Sequence, residues 1–170
     1  VVGKELLVFG NEDGAVIAID KTNMNFRWRF VAGMNVISKP LLYKDKVLFG
    51  SINYSFYAID NQGREVWRFP TKKPIKSDPV ISGENVYFTS YDGHIYALRI
   101  EDRNVLWTFP PKPDLTPAAP PFEGTAPAEP PITVGEFSYS SPAIAGGVVY
   151  VGNLDGYVYA VTIADGKIKW

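Results

Sequence analysis

The sequence contains no cysteine and a single histidine, His94. The missing thiols exclude disulfides, thiolate catalysis, Fe–S clusters and covalent haem attachment from these 170 residues. They do not assign a compartment, because exported and cytosolic chains can both lack cysteine. No apolar run approaches the ~18 residues a transmembrane helix needs, and no signal-peptide pattern is visible. An excess of one charge is missing as well: 17 Lys and Arg against 18 Asp and Glu are interspersed, without a basic tail or stripe, so no nucleic-acid partner is expected. The densest basic group, Lys72, Lys73 and Lys76, reads as a solvated loop. The chain opens on Val1 inside a strand-like run and stops at Trp170, and is therefore expected to be part of a longer chain.

What is present is a repeat, and periods of this length decide the fold. Trp28, Trp67, Trp107 and Trp170 are spaced by 39, 40 and 63 residues. About ten residues before each stands an alanine: Ala18, Ala58, Ala97 and Ala160. A run of Val, Ile, Tyr and Phe and a turn precede each alanine, as in VYFTSYDGHIYALRI and VYVGNLDGYVYAVTI. Such composition favours strands. Asp13-Gly14, Asp92-Gly93 and Asp155-Gly156 supply the positive φ of tight hairpin turns, and Asn53-Tyr54 takes that place in the second copy. A further strand with a proline near its start precedes three of the units: ISKPLLY, KSDPVIS and YSSPAIA. The order is thus a proline strand (A), a glycine strand (B), an alanine strand (C) and a tryptophan strand (D). Four strands in about 40 residues is the signature of a β-propeller blade. Near-continuous apolar runs such as VVYVG fit sheets covered on both faces. The expected fold is all-β: antiparallel four-stranded blades belonging to a seven- or eight-bladed propeller. The blades span residues 1–30 (without strand A), 36–69, 75–109 and 138–170.

The spacing Ala-x-Asp/Asn-x-x-x-Gly-x-x-x-Trp resembles the tryptophan-docking motif of the PQQ-like, quinoprotein-type (BamB-like) β-propeller repeats. AVTIADGKIKW, from Ala160 to Trp170, follows it with Thr162 at the acidic position. AIDNQGREVW is one residue short, and the copies at Ala18–Trp28 and Ala97–Trp107 lack the glycine. The resemblance implies that the four tryptophans and four alanines are structural, each indole docking against the next blade and burying about 150–250 Å² in one rigid piece. It also implies two functional groups: quinoprotein dehydrogenases holding PQQ and Ca²⁺, and non-enzymatic scaffolds or sensor domains of membrane kinases. Fold alone does not choose between them.

The residues favour the scaffold. A vicinal cysteine pair, typical of the dehydrogenases, is absent. Asp13, Asp92 and Asp155 recur before turn residues, which points to turn geometry and not to a Ca²⁺ site. His94 has no catalytic partner nearby in sequence. No catalytic, cofactor or metal site is therefore expected, with a PQQ- and Ca²⁺-dependent dehydrogenase fragment and a kinase-linked sensory propeller as the alternatives. One segment departs from the repeat. From tryptophan to the next strand-A proline the gaps are 12, 12 and 35 residues, and nine of fourteen prolines lie between Pro110 and Pro131. The insertion, 110–137, is expected to be extended and poor in backbone donors. Leu115, Phe122, Ile132 and Phe137 are its candidate contacts with a protein partner. The expected protein is a binding subunit of an extracytoplasmic, membrane-associated complex.

Overall fold

The computed structural model describes residues 1–110 and 140–170. These residues form fourteen strands and no helix, all paired antiparallel. In the first sheet β1 (Leu6–Gly10), β2 (Ala15–Asp20) and β3 (Phe26–Val31) run side by side. The second sheet holds β4 (Leu41–Tyr43), β5 (Lys46–Ser51), β6 (Ser55–Asp60) and β7 (Glu65–Pro70). The third holds β8 (Val80–Ser82), β9 (Asn85–Ser90), β10 (His94–Arg99) and β11 (Val105–Phe109). The fourth holds β12 (Ala143–Ala145), β13 (Val148–Gly152) and β14 (Val158–Thr162). Each is a simple meander, and strand order within a sheet follows chain order.

The first unit was expected without its strand A and the other three with four strands; the two middle sheets have four, and the first and fourth have three. The tryptophan strand expected near Trp170 is reduced to a bridge between Val161 and Ile168 and two backbone hydrogen bonds, Lys169 N–H to Ala160 O (2.7 Å) and Ala160 N–H to Trp170 O (3.1 Å). The tryptophans of β7 and β11 are buried against the following sheet, whereas Ile168 and Trp170 are 43% and 63% exposed. At the other end Val2 bridges Leu7 and Val8 donates to Val1 O, a two-residue stub where a proline strand would run.

The turns follow the chemistry of their residues. Gly14, Gly93 and Gly156 sit at φ of +77°, +83° and +88°, and Tyr54 adopts +68° at the same place. In the first three sheets the alanine faces the tryptophan of its own sheet (Ala18–Trp28, Ala58–Trp67, Ala97–Trp107), and the register slips by one residue just after each alanine. Such a slip turns the edge strand and re-aims its side chains.

Three apolar clusters fill the spaces between successive sheets. Val8, Val16, Trp28, Val47, Phe49, Tyr57 and Ile59 lie between the first and second. Leu48, Phe56, Trp67, Phe88, Tyr96 and Leu98 lie between the second and third, with Phe56 stacked on Phe88 at 4.1 Å. Tyr87, Ile95, Trp107, Phe109, Val149 and Val161 lie between the third and fourth. The middle sheets are thus apolar on both faces, which is why β5 and β9 read as near-continuous hydrophobic runs and not as alternating ones.

Candidate functional site

Three side-chain systems recur from sheet to sheet. The first is the tryptophan seat. Trp28, Trp67 and Trp107 are each 8% exposed. Each reaches onto the following sheet and donates its indole N–H to a backbone carbonyl: Asn61 O at 2.8 Å, Ile100 O at 2.9 Å and Ile163 O at 2.9 Å. The acceptor is always the first residue after β6, β10 or β14. Below two of the rings lies a glycine. A Cβ on Gly63 would stand 2.8 Å from the Trp28 ring, and one on Gly166 2.7 Å from the Trp107 ring. At the third seat Arg103 takes the positive-φ position (+56°) and donates to Arg68 O. Ala160 is fully buried, but Trp170 is 63% exposed.

The second system is the rim formed by the turns between B and C strands. The connections that leave β3 and β7 run across it. Ala32 donates to Gly14 O and Thr71 to Tyr54 O, each within its own sheet. The next sheet then takes hold of each connection. Asn53 Nδ2 donates to Ala32 O (2.7 Å), and Asp92 Oδ2 accepts from Lys72 N–H (3.0 Å). The same side chains clamp a tyrosine four residues on: Asn53 to the Tyr57 hydroxyl, and the Tyr96 and Tyr159 hydroxyls to Asp92 and Asp155, all at 2.7 Å. Burial would raise the Asp92 pKa. Hydrogen bonds from His94, the Lys72 amide and Tyr96 outweigh it and hold the carboxyl below its ordinary range. Burial, reinforced by Asp92, pushes the Tyr96 hydroxyl up, and burial with Asp155 pushes Tyr159 up to about 12. His94 lies beside Asp92, with Nδ1 3.1 Å from its carbonyl and 3.4 Å from its carboxylate. Among the described residues no three His, Asp or Glu side chains come together to hold a metal ion.

The third system was not read from the sequence. Ser38, Ser77 and Ser140, each two residues before a strand-A proline, point into their own sheets. Ser38 Oγ accepts from Gly50 N–H and Ser140 Oγ from Gly152 N–H. Ser77 Oγ both accepts from and donates to the Thr89 backbone at 3.0 Å. The residue after each serine links neighbouring sheets: Lys39 N–H donates to Asp78 Oδ1 (2.7 Å) and Asp78 N–H to Ser141 Oγ (2.9 Å). The signal was present as a threefold Ser-x-Pro, overshadowed by its proline.

The insertion begins where β11 reaches the same rim. Phe109, 1% exposed, packs against Tyr159, and the chain is described again at Ser140, whose carbonyl accepts from Thr89 Oγ1. Leu115, Phe122, Ile132 and Phe137 lie outside the described residues.

The sequence profile of one family, described as outer membrane protein assembly factor BamB, matches residues 12–170. No curated protein sequence matches. Among solved structures, BamB from Moraxella catarrhalis is 17% identical, with a TM-score of 0.71 over 98% of this chain and 45% of that one. The computationally designed Ika8 protein is 14% identical, with a TM-score of 0.75 over 100% of this chain and 46% of its own. The designed Ika4 protein is 16% identical, with a TM-score of 0.69 over 95% and 88%. The chain thus spans less than half the length of the BamB and Ika8 chains, and these likenesses are likenesses of fold.

Proposed function

Since this chain belongs to the family of the outer membrane protein assembly factor BamB, we propose that it is a non-catalytic propeller scaffold, a protein-binding subunit of an extracytoplasmic assembly at a membrane. In this reading the four sheets are blades of a seven- or eight-bladed ring, and the tryptophans and their alanines serve blade docking alone. The partner binds at the rim of B–C turns. The insertion, 110–137, supplies the contact through Leu115, Phe122, Ile132 and Phe137. Proline lowers the entropy lost when such an arm docks.

The observation that carries the reading is the family match, which spans residues 12–170 and so runs from β2 across the insertion to the end of the fourth sheet. The rim supports it, because its distinctive polar groups are already engaged in holding the fold: Asp92 with Tyr96 and Lys72, Asp155 with Tyr159, Asn53 with Tyr57.

The test is envelope fractionation with copurification, comparing the chain with a variant whose residues 111–136 are replaced by a short Gly/Ser linker. The chain should copurify with the outer-membrane protein assembly machinery. The variant should unfold as cooperatively as the parent yet be lost from the complex. Undiminished binding by the variant removes the arm, and a protein recovered without partners removes the scaffold. Dye-linked alcohol or sugar oxidation on addition of PQQ and Ca²⁺ would put a quinoprotein enzyme in its place.

A further inference from the structure

The rim of B–C turns carries a strip whose side chains the hydrogen bonding of the fold does not call for. It runs from the connection after β3, over the turn between β5 and β6, to the connection after β7 and the turn between β9 and β10. Direct bonds join these four segments. Ser51 Oγ donates to Met34 O (3.0 Å) and Ile52 N–H to Asn35 O (3.1 Å). Thr71 N–H and Oγ1 both donate to Tyr54 O (2.7 and 3.1 Å). Ser90 Oγ donates to Lys73 O and Tyr91 N–H to Pro74 O, each at 3.0 Å. The strip is thus one continuous surface, set by backbone carbonyls and independent of most side chains on it.

Two kinds of side chain occupy it. Met34, Ile37 and Tyr54 are 50%, 46% and 49% exposed, with Ile52 partly open beside them. Single exposed apolar residues are ordinary, whereas neighbouring ones mark a contact surface. Tyr54 is the most informative. Its sister turns place Gly14, Gly93 and Gly156 at this position, and at φ +68° a β-carbon is strained where glycine is not. The turn uses the Tyr54 carbonyl, which any residue would supply. The other half is basic. Lys73 stands where Met34 stands one sheet earlier, because Ser51 and Ser90 grip their carbonyls alike, and Lys76 accordingly takes the place of Ile37. Lys76 Nζ lies 4.6 Å over the Tyr91 ring, and Lys72 and Lys73 are exposed. The carboxylates of this stretch, Asp78 and Asp92, are each engaged by a backbone N–H, of Lys39 and Lys72. An apolar half therefore adjoins a cationic one.

We propose that this strip docks an acidic segment of a protein partner, in which an aromatic or leucine side chain packs on Met34, Ile37 and Tyr54 while neighbouring carboxylates meet Lys72, Lys73 and Lys76. The inference rests on the reading of this rim as the partner-binding surface and adds the chemistry of what binds there. Charge and shape select the class. A nucleic-acid backbone has no use for the apolar half. Three lysines fall short of the roughly 4–8 basic residues that hold a segment on anionic lipid, and the chain as a whole carries a net charge of −1. A peptide with both carboxylates and an apolar side chain satisfies both halves at once.

The experiment pans the chain against a displayed library of random dodecapeptides, and the enriched peptides are synthesised and titrated by fluorescence anisotropy. They should combine Asp or Glu with Phe, Trp or Leu, and their binding should weaken severalfold as salt is raised to about 0.5 M. Two variants locate them. Tyr54→Gly suits the backbone of its turn, so it should lower affinity about tenfold while the urea midpoint stays level or rises. The double variant Lys72→Gln, Lys73→Gln should weaken binding in low salt and flatten the salt dependence. A basic or uncharged consensus, no enrichment, or binding that survives both variants overturns the proposal. Binding gained only when residues 111–136 are replaced by a Gly/Ser linker gives the strip to the insertion and overturns it as well. Sedimentation with phosphatidylglycerol vesicles by the parent, and not by the lysine variant, gives it to a membrane, with the same result. Copurification keeps the two readings apart. If the parent and both variants retain the envelope partner alike, the scaffold stands and this surface is overturned, whereas a parent that retains none removes the scaffold and this surface with it.

Discussion

Gly63 and Gly156 share a left-handed backbone, at φ +79° and +88°, but only Gly63 lies beneath another sheet's indole. Gly156→Ala should therefore cost only the backbone term, about 1 kcal/mol. Gly63→Ala must also move the Trp28 ring, and should cost about 1–3 kcal/mol more. Urea denaturation of the two variants separates these effects. Trp67→Phe keeps an aromatic ring but leaves the Ile100 carbonyl without its indole donor. A buried acceptor stranded in this way costs about 1–3 kcal/mol, again measured as a shift in the urea midpoint. Asp92 makes a prediction in pH. Its folded pKa lies below the ordinary 3.8. Its contribution to stability is thus complete above that value and is lost as pH falls through the lower folded one. In a series of urea midpoints from neutral pH down to about 2, Asp92→Asn should flatten the acid limb.

At the scale of the element, Ser77 joins the connection to its own B strand twice through one hydroxyl. Ser77→Ala strands a buried N–H and C=O of Thr89 and should lower stability by about 2 kcal/mol. Ser141→Ala, at an exposed link, should cost within about 0.5 kcal/mol. Both are read from thermal or urea unfolding. This element also shows where sequence reading stopped. Strands, hairpin turns and the tryptophan register follow from local chemistry, so VYFTS, Asp92-Gly93 and Trp107 announce themselves. The acceptors of the indoles do not, because Asn61, Ile100 and Ile163 act through backbone carbonyls that any residue carries. Gly63 and Gly166 read as turn glycines, although the ring above each comes from the preceding sheet. Serine before proline is ordinary in loops, and only the folded register shows Ser38, Ser77 and Ser140 doing the same work. The tryptophan strand expected at Trp170 was legible as a pattern, and the structure holds it as a single bridge between Val161 and Ile168.

For the molecule as a whole, stability follows nearest neighbours, as in stacked repeats. Among the described residues the second and third sheets are covered on both sides and the first and fourth on one. In these 170 residues alone, hydrogen exchange should be slowest in β5, β6, β9 and β10 and faster in β1, β2, β13 and β14. Equal protection across all four sheets would show that cooperativity extends beyond adjacent pairs.

The links through Lys39, Asp78 and Ser141 run in one direction. Each unit gives a backbone N–H to a side chain of the unit after it, so a position that receives must carry an acceptor while a position that only gives can carry anything. Lys39 only gives, Asp78 does both, and Ser141 receives. The units are therefore alike in shape but not interchangeable in order. A rearranged gene that placed the second unit third would set an ammonium where a carboxylate is required and break the chain of links at that point. Duplication can make such a protein, but once these three residues have diverged, shuffling its copies cannot.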